Sequence, residues 1–364
     1  MATAAQASSR PVALLRELVE LESPTGHAPG VRAVAERIAE ELQDGAARVR
    51  FEHDHLVAEL DGEGEPLLVL GHTDTVWPVG TLASMPFRVE DGRAYGPGAF
   101  DMKAGLVVLA EALRETGPRR RPLRVFLTAD EERGSPTARE PLNEAARGAA
   151  AAFVLEPPTP GGALKTARKG LRRFRLVVEG RAAHAGTDFE HGASAIEELA
   201  HQVLRIKGLG DAARGISVNV GVVRGGRQDN VVPDHAEARI EIRVAHAGDS
   251  EHVDEALRAL RPAVDGTRLR LEEEHGRPPL ERSAGSAALF ATAYRHGRAL
   301  GLDLREARSG GGSDGNLVGA LGVPVLDGLG AEGGGAHARG EHVRLGSIPQ
   351  RARLLARLLE DPGL

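Results

Sequence analysis

Cysteine is absent from all 364 residues, which excludes disulfides and thiolate ligands and leaves only His, Asp and Glu to hold a transition metal. Aromatic residues are scarce. One Trp, two Tyr and eight Phe supply no stacking platform for single-stranded nucleic acid, so the core falls to Ala, Val, Leu and Ile. Positive charge is not in excess either, and a formal net charge of −6 argues against a nucleic-acid partner. No run approaches the roughly 20 apolar residues of a membrane-spanning helix, so no membrane partner is expected. The opening MATAAQASSR lacks a charged start followed by an apolar segment, so no secretory signal is expected and the protein is expected to be cytoplasmic. What is present is ordinary for a soluble globular chain: 41% hydrophobic and 27% charged residues, over a length that suits two domains.

The informative stretch is LLVLGHTDTV at 67–76. A short apolar run closed by glycine predicts a buried strand with His72 at its exit. Open α/β sheets place ligand sites beyond the carboxyl ends of their strands, so a histidine there faces chemistry, and Asp74 is spaced to orient it. A strand-end histidine followed by a helix cap is the alternative. Val125–Ala129 predicts a second buried strand, with Asp130, Glu131 and Glu132 at its exit. Three adjacent carboxylates repel unless a cation or proton sits among them. Phe153–Leu155 predicts a third strand, ending at Glu156. Between them GRAYGPGAFDMKAG at 92–105 is an irregular glycine-rich loop that carries Asp101 to the start of an apolar helix over 106–113.

Before the first of these strands, the spacing of Val12, Leu15, Leu18 and Val19 predicts one helix. That of Val31, Val34, Ala35, Ile38 and Leu42 predicts another, ended by Asp44-Gly45. Near residue 170 the pattern changes. Strand 174–178, helix 194–207, strands 216–223 and 236–244, helix 251–260 and strand 269–273 follow in βαββαβ order, a ferredoxin-like α+β unit placed at 169–280. In its first helix Ile196, Leu199, Ala200, Val203 and Leu204 form an apolar stripe. After it come a helix over 286–301, SGGGSDGN at 309–316, a strand at 323–326, AEGGGAHARGEHV at 331–343 and a last helix opened by Pro349.

His72, Asp101, Glu131, Glu132, Glu156 and His337 are the donors a pair of zinc ions would use if one carboxylate bridged them and another stayed unligated as a base. The chain resembles the zinc-dependent exopeptidases that include glutamate carboxypeptidase, aminoacylase, acetylornithine deacetylase and succinyl-diaminopimelate desuccinylase. The likeness covers nearly the whole length. It rests on GHTDTV at 71–76, GPGAFDMKAG at 96–105, TADEERGS at 128–135, LEP at 155–157, GRAAHAG at 180–186, GGGSDGN at 310–316 and GGGAHARGEHV at 333–343, in family order.

The resemblance implies an α/β catalytic domain, residues 1–168 and 281–364, with a mixed central sheet flanked by helices and a dizinc site, and an inserted lid and dimerisation domain at 169–280. Asp101 would bridge two Zn2+, with His72 and Glu156 on one and Glu132 and His337 on the other; Co2+ or Mn2+ would suit the same ligands. Glu131 would be the general base and Asp74 would orient His72. The peptide after Asp101 would be cis. A zinc-bound hydroxide would attack an amide carbonyl, with Glu131 carrying the proton to the leaving amine. His184 would reach the neighbouring subunit's site and stabilise the oxyanion. Asn230, Arg243 and Arg277 would contact substrate, and Gly310, Gly311 and Gly312 would offer backbone N–H groups. Ala104 stands where relatives commonly have glycine. The other eleven histidines, His53, His55, His191 and His342 among them, are assigned surface or structural roles.

The implied activity is release of a C-terminal amino acid from a short peptide or N-acyl amino acid, by a homodimer. DEERGS with Arg139, GRPPLER and GGGSDGN resemble the glutamate carboxypeptidase branch most. A deacylase of an N-acyl diamino acid in a biosynthetic pathway is the alternative, and a non-catalytic metal-binding member a third, which the intact Glu131 argues against.

Overall fold

The computed structural model describes residues 9–44, 47–117 and 120–364; Gly45 and the first eight residues, on which parts of the reading above fall, lie outside them. Leu67–His72 is a strand buried along its whole length and lies inside a six-stranded sheet. The strands are ordered Arg48–Glu52, His55–Leu60, Leu123–Thr128, Leu67–His72, Ala151–Val154 and Val325–Leu326. The first two pairings are antiparallel and the remaining three parallel, so the sheet is mixed. His72 pairs in register with Thr128, and Leu70 with Val154. Three neighbouring parallel strands therefore release the chain at one edge, and the residues that follow them gather there.

Helices cover the sheet. Ala104–Glu115 is apolar on nearly every face and buried almost throughout, as suits a helix with neighbours on several sides. Ser347–Glu360 packs on it, burying Leu354, Leu355, Leu358 and Leu359. Pro349 falls in its first turn rather than opening it, where a missing N–H is harmless. Arg10–Glu20 buries Val12, Leu15, Leu18 and Val19, the four residues whose spacing marks it as a helix. These side chains form one continuous core with the central strands.

By contacts the chain divides into two units. One comprises the described residues of Met1–Ala167 with Glu281–Ser309 and Ser313–Leu364; the other comprises Arg168–Leu280 with Gly310–Gly312. In the second, strands Gly170–Glu179, Ser217–Gly225, His235–Val244 and Arg268–Arg277 alternate with helices Ala195–Lys207 and Ala247–Arg258 in βαββαβ order. The sheet is antiparallel, with Gly170–Glu179 and His235–Val244 in the centre and its own apolar core beneath.

The apolar stripe expected on Ala195–Lys207 is corrected in part. Leu199 is buried, but Ile196 and Leu204 are exposed, and Glu198 and Gln202 are fully buried in their stead. The reason is backbone demand. The adjoining 261–267 segment turns its Ala263 and Val264 N–H groups onto Glu198 and its Arg261 carbonyl onto Gln202, and buried peptide groups must be paired. Among the described residues no helix is long and apolar enough to cross a membrane.

Candidate metal centre

His72 ends its strand almost wholly buried. Its Nδ1 lies 2.9 Å from the backbone carbonyl of Asp74 and 3.4 Å from the Asp74 carboxylate, so the carbonyl takes the larger share in orienting the ring. The Asp74 carboxylate has further work. It accepts from the Glu131 N–H at 3.1 Å, the Glu132 N–H at 3.2 Å and the Thr25 hydroxyl at 2.6 Å, and so fixes the turn that presents both glutamates. Asp130 turns away and accepts from the Thr137 N–H and hydroxyl, which removes one of the three adjacent carboxylates from the cluster.

Opposite the sheet edge, Asp101 lies in the loop before Ala104–Glu115, and the Asp101–Met102 peptide is cis. Its two oxygens face different imidazoles: Oδ1 is 3.4 Å from His72 Nε2 and Oδ2 is 3.3 Å from His337 Nε2. Glu156 Oε1 is 3.4 Å from His72 Nε2, and Glu132 Oε1 is 3.3 Å from His337 Nε2. The loop can approach this closely because Gly98, at φ +70°, has no room for a side chain: a Cβ would stand 2.5 Å from Thr75 Cγ2.

His72 Nε2 is buried and makes no hydrogen bond, although two carboxylate oxygens stand nearby. An orphaned buried ring nitrogen among oxygens is what a ligand atom looks like. The spacing agrees. Four donors about 2.0–2.1 Å from a tetrahedral cation lie roughly 3.3–3.4 Å apart, the separation these pairs have. Donor atoms of His72, Asp101 and Glu132 all fall within 4.8 Å of one another, as do those of His72, Glu131 and Glu156. The donor set, imidazoles and carboxylates alone, fits a divalent transition metal.

Charges respond accordingly. Burial works to lower the His72 pKa, but Asp101, Asp74 and Glu156 together raise it well above the ordinary value. Asp101 and Glu132 raise His337 to about 10. Burial pushes against ionisation of Asp101, yet its two imidazoles hold it below the usual carboxylate range, whereas burial dominates at Glu132 and raises it. Negative charge is concentrated here in excess of what the imidazoles balance. A cation would displace the two imidazole protons and take their place among the oxygens.

The residues assigned to substrate lie in the second unit. His184 is exposed, and its Nδ1 accepts from the Gly186 and Thr187 N–H groups at 3.0 and 3.2 Å, which leaves Nε2 to carry the proton. The Asn230 carbonyl accepts from the Ala185 N–H at 3.0 Å, so these two loops adjoin. Arg243 donates to the Gly310 carbonyl at 2.6 Å and pairs with Glu241, and Arg277 is buried on the strand Arg268–Arg277. Arg168 donates to the carbonyls of Gly311 and Gly312, both at 3.1 Å. Of the histidines given structural roles, His55 is fully buried, taking the Ala129 N–H on Nδ1, and His53, His191 and His342 lie nearer the surface.

Thr25, Arg168 and Glu341 escape the sequence reading. Thr25 is 49 residues from its partner Asp74, so no local pattern could pair them. Thr25→Val, which keeps shape and removes the donor, is expected to weaken metal binding about tenfold, the usual effect of losing a group that orients a ligand's neighbour. Titration of the chelator-stripped protein checks this; an unchanged affinity would mean that the two backbone donors hold Asp74 unaided.

Imidazoles and carboxylates gathered beyond the strand ends of a mixed α/β sheet form a candidate metal site of the kind a metal-dependent hydrolase uses. The model of peptidase family M20/M25/M40 matches residues 68–361, and the chain belongs to that family. It is 32% identical to carboxypeptidase G2 of Pseudomonas sp. (strain RS-16), with 96% of this chain and 88% of that one covered. It is 29% identical to succinyl-diaminopimelate desuccinylase of Thioalkalivibrio sulfidiphilus, over 95% of this chain and 97% of that one. In fold it matches aminopeptidase PepT of Bacillus cereus with a TM-score of 0.78 at 22% identity, covering 98% of each chain.

Proposed function

We propose that this hydrolase releases a C-terminal amino acid from a short peptide or N-acyl amino acid, acting in the cytoplasm with two Zn2+ per chain. The observation that carries the two-ion reading is Asp101, whose oxygens face His72 and His337 separately at 3.4 and 3.3 Å. His72 and Glu156 would hold one ion, Glu132 and His337 the other, and Asp101 both. Bound there, the cations would polarise the amide carbonyl and lower the pKa of water. Glu131, close to His72 and Glu156 and pinned through its own N–H, takes a proton from the attacking water and passes it to the leaving nitrogen. The likeness to carboxypeptidase G2 favours a carboxypeptidase, and that to the desuccinylase keeps an N-acyl diamino acid deacylase as the second reading.

The unit Arg168–Leu280 is proposed as lid and dimerisation domain. Its edge strand Ser217–Gly225 exposes Val222 and Val223, and its helix Ala195–Lys207 exposes Ile196 and Leu204, apolar surface that a second copy would cover. In that dimer, His184 with its proton on Nε2 would stabilise the oxyanion in the partner's site, while Asn230, Arg243, Arg277 and the N–H groups of Gly311 and Gly312 would bind substrate. Arg243 would have to share its guanidinium with the Gly310 carbonyl it already holds. Val223→Glu is expected to give monomers in light scattering at micromolar concentration; an unchanged mass would remove this face from the interface.

The deciding experiment is release of free amino acid from a panel of N-acyl amino acids and dipeptides, by zinc-loaded protein and by a chelated control. Chelator-sensitive release confined to one C-terminal side chain establishes the carboxypeptidase. Release only from N-acyl diamino acids establishes the deacylase instead, and no release from protein carrying two metals overturns both.

A further inference from the structure

We propose that Glu341 is the positioning residue that sets Asp101 and His337 at their separation, an inference that rests on the metal-centre reading above. Glu341 is wholly buried. Its Oε1 accepts from the backbone N–H groups of Phe100 and Asp101, both at 2.9 Å, and its Oε2 from Trp77 Nε1 at 2.7 Å and Gly98 N–H at 3.0 Å. Its own carbonyl accepts from the Gly96 N–H at 3.3 Å. Burial disfavours its charge, the nearby Lys103 favours it, and its carboxylate accepts four N–H hydrogen bonds, three of them from the loop that carries Asp101. A buried carboxylate accepting several backbone donors is a strong, directional anchor.

The same residue governs His337. Strands Gly333–Gly334 and His342–Arg344 pair antiparallel, and the chain between them makes two successive turns, His337 lying within the first and Glu341 ending the second. Ala338 N–H bonds the Gly335 carbonyl and Glu341 N–H bonds the Ala338 carbonyl, so two hydrogen-bonded turns that share Ala338 connect His337 to Glu341, and Gly335 packs against the Glu341 backbone. Glu341 thus ties the His337 turn to the Asp101 loop, and through Trp77 to the segment that follows Asp74. The 3.3 Å approach of Asp101 Oδ2 to His337 Nε2 is the outcome of that tie.

Glu341→Gln separates anchoring from filling space. The amide has the same shape, but whichever way it turns its NH2 meets two N–H donors. The test is calorimetric titration of Zn2+ into the chelator-stripped, full-length chain, with folding checked by circular dichroism. The expected result is that the ion bound between Asp101 and His337 weakens at least about tenfold while the other changes less than about threefold, and that excess Zn2+ restores kcat, a rescue that general structural damage would not show. Trp77→Phe removes one donor of four and leaves the Asp101 loop anchored, so both affinities should stay within about threefold. Wild-type affinities in Glu341→Gln, or an equal loss in Trp77→Phe, overturn the proposal. Should Glu341→Gln fail to fold, Glu341→Asp keeps the charge one methylene short, and wild-type affinity there overturns it equally. A wild-type chain that binds fewer than two ions brings down the metal-centre reading itself, which distinguishes that failure from this one.

Discussion

Glu131→Gln is expected to lower kcat by about 10²–10⁴-fold, the range that loss of a positioned general base produces, with two metals per chain retained. The substitution keeps size and removes only the ability to accept a proton. Position should be kept too, because the residue is held through its backbone N–H on Asp74 and not through its carboxylate alone. Glu131 does share a 4.8 Å cluster with His72 and Glu156, close enough to be a ligand. Metal analysis separates the two roles. Full metal with lost turnover marks a base, loss of one ion marks a ligand, and unchanged kcat removes Glu131 from the reaction.

Asp101→Asn is expected to have the second large effect and to act by a different route. Asparagine offers a single oxygen, so it can serve His72's side or His337's side but not both, and its NH2 then faces the other imidazole. Metal content should fall to one ion or none. A polarising cation contributes several kcal/mol to the transition state, which at about 1.36 kcal/mol per decade corresponds to a loss on the order of 10³-fold or more. A second readout needs no turnover. The carboxylate is the leading cause of the raised His337 pKa, so in the metal-free variant that imidazole should titrate below its value of about 10, as followed by NMR. Two retained ions together with an unshifted His337 would exclude Asp101 as the bridge.

The site was legible where a strand delivers a side chain within one or two residues of its end. An apolar run closed by glycine marks His72, and runs at 125–129 and 153–155 mark Glu131, Glu132 and Glu156, because parallel strands in register must release their following residues at one edge. What holds those residues was not legible. Glu341 acts on Phe100 and Asp101 across some 240 positions, and such a contact leaves no periodicity in either segment. Burial misled on the helix Ala195–Lys207 for a related reason. Its polar Glu198 and Gln202 serve peptide groups of a distant segment, so hydrophobic spacing alone picked Ile196 and Leu204, which face outward. Arg168 was likewise hidden, since its role depends on a glycine loop more than 140 residues away.

The insert Arg168–Leu280 begins and ends on a pair of reciprocal backbone hydrogen bonds, Arg168 N–H to the Leu280 carbonyl at 2.9 Å and Leu280 N–H to the Arg168 carbonyl at 3.0 Å. Its entry and exit are therefore neighbours. Closing a loop costs free energy that depends only weakly on its length once the ends already meet, so the host chain scarcely senses how much polypeptide lies between them. That is the geometry in which a whole module can be exchanged, shortened or replaced by a few turn residues while the host still folds. The Gly310–Gly312 strip would register the exchange first, because its three carbonyls would lose the arginines that now hold them. Such an exchange would leave in place the elements that carry His72, Asp101, Glu132, Glu156 and His337, all of which belong to the other unit.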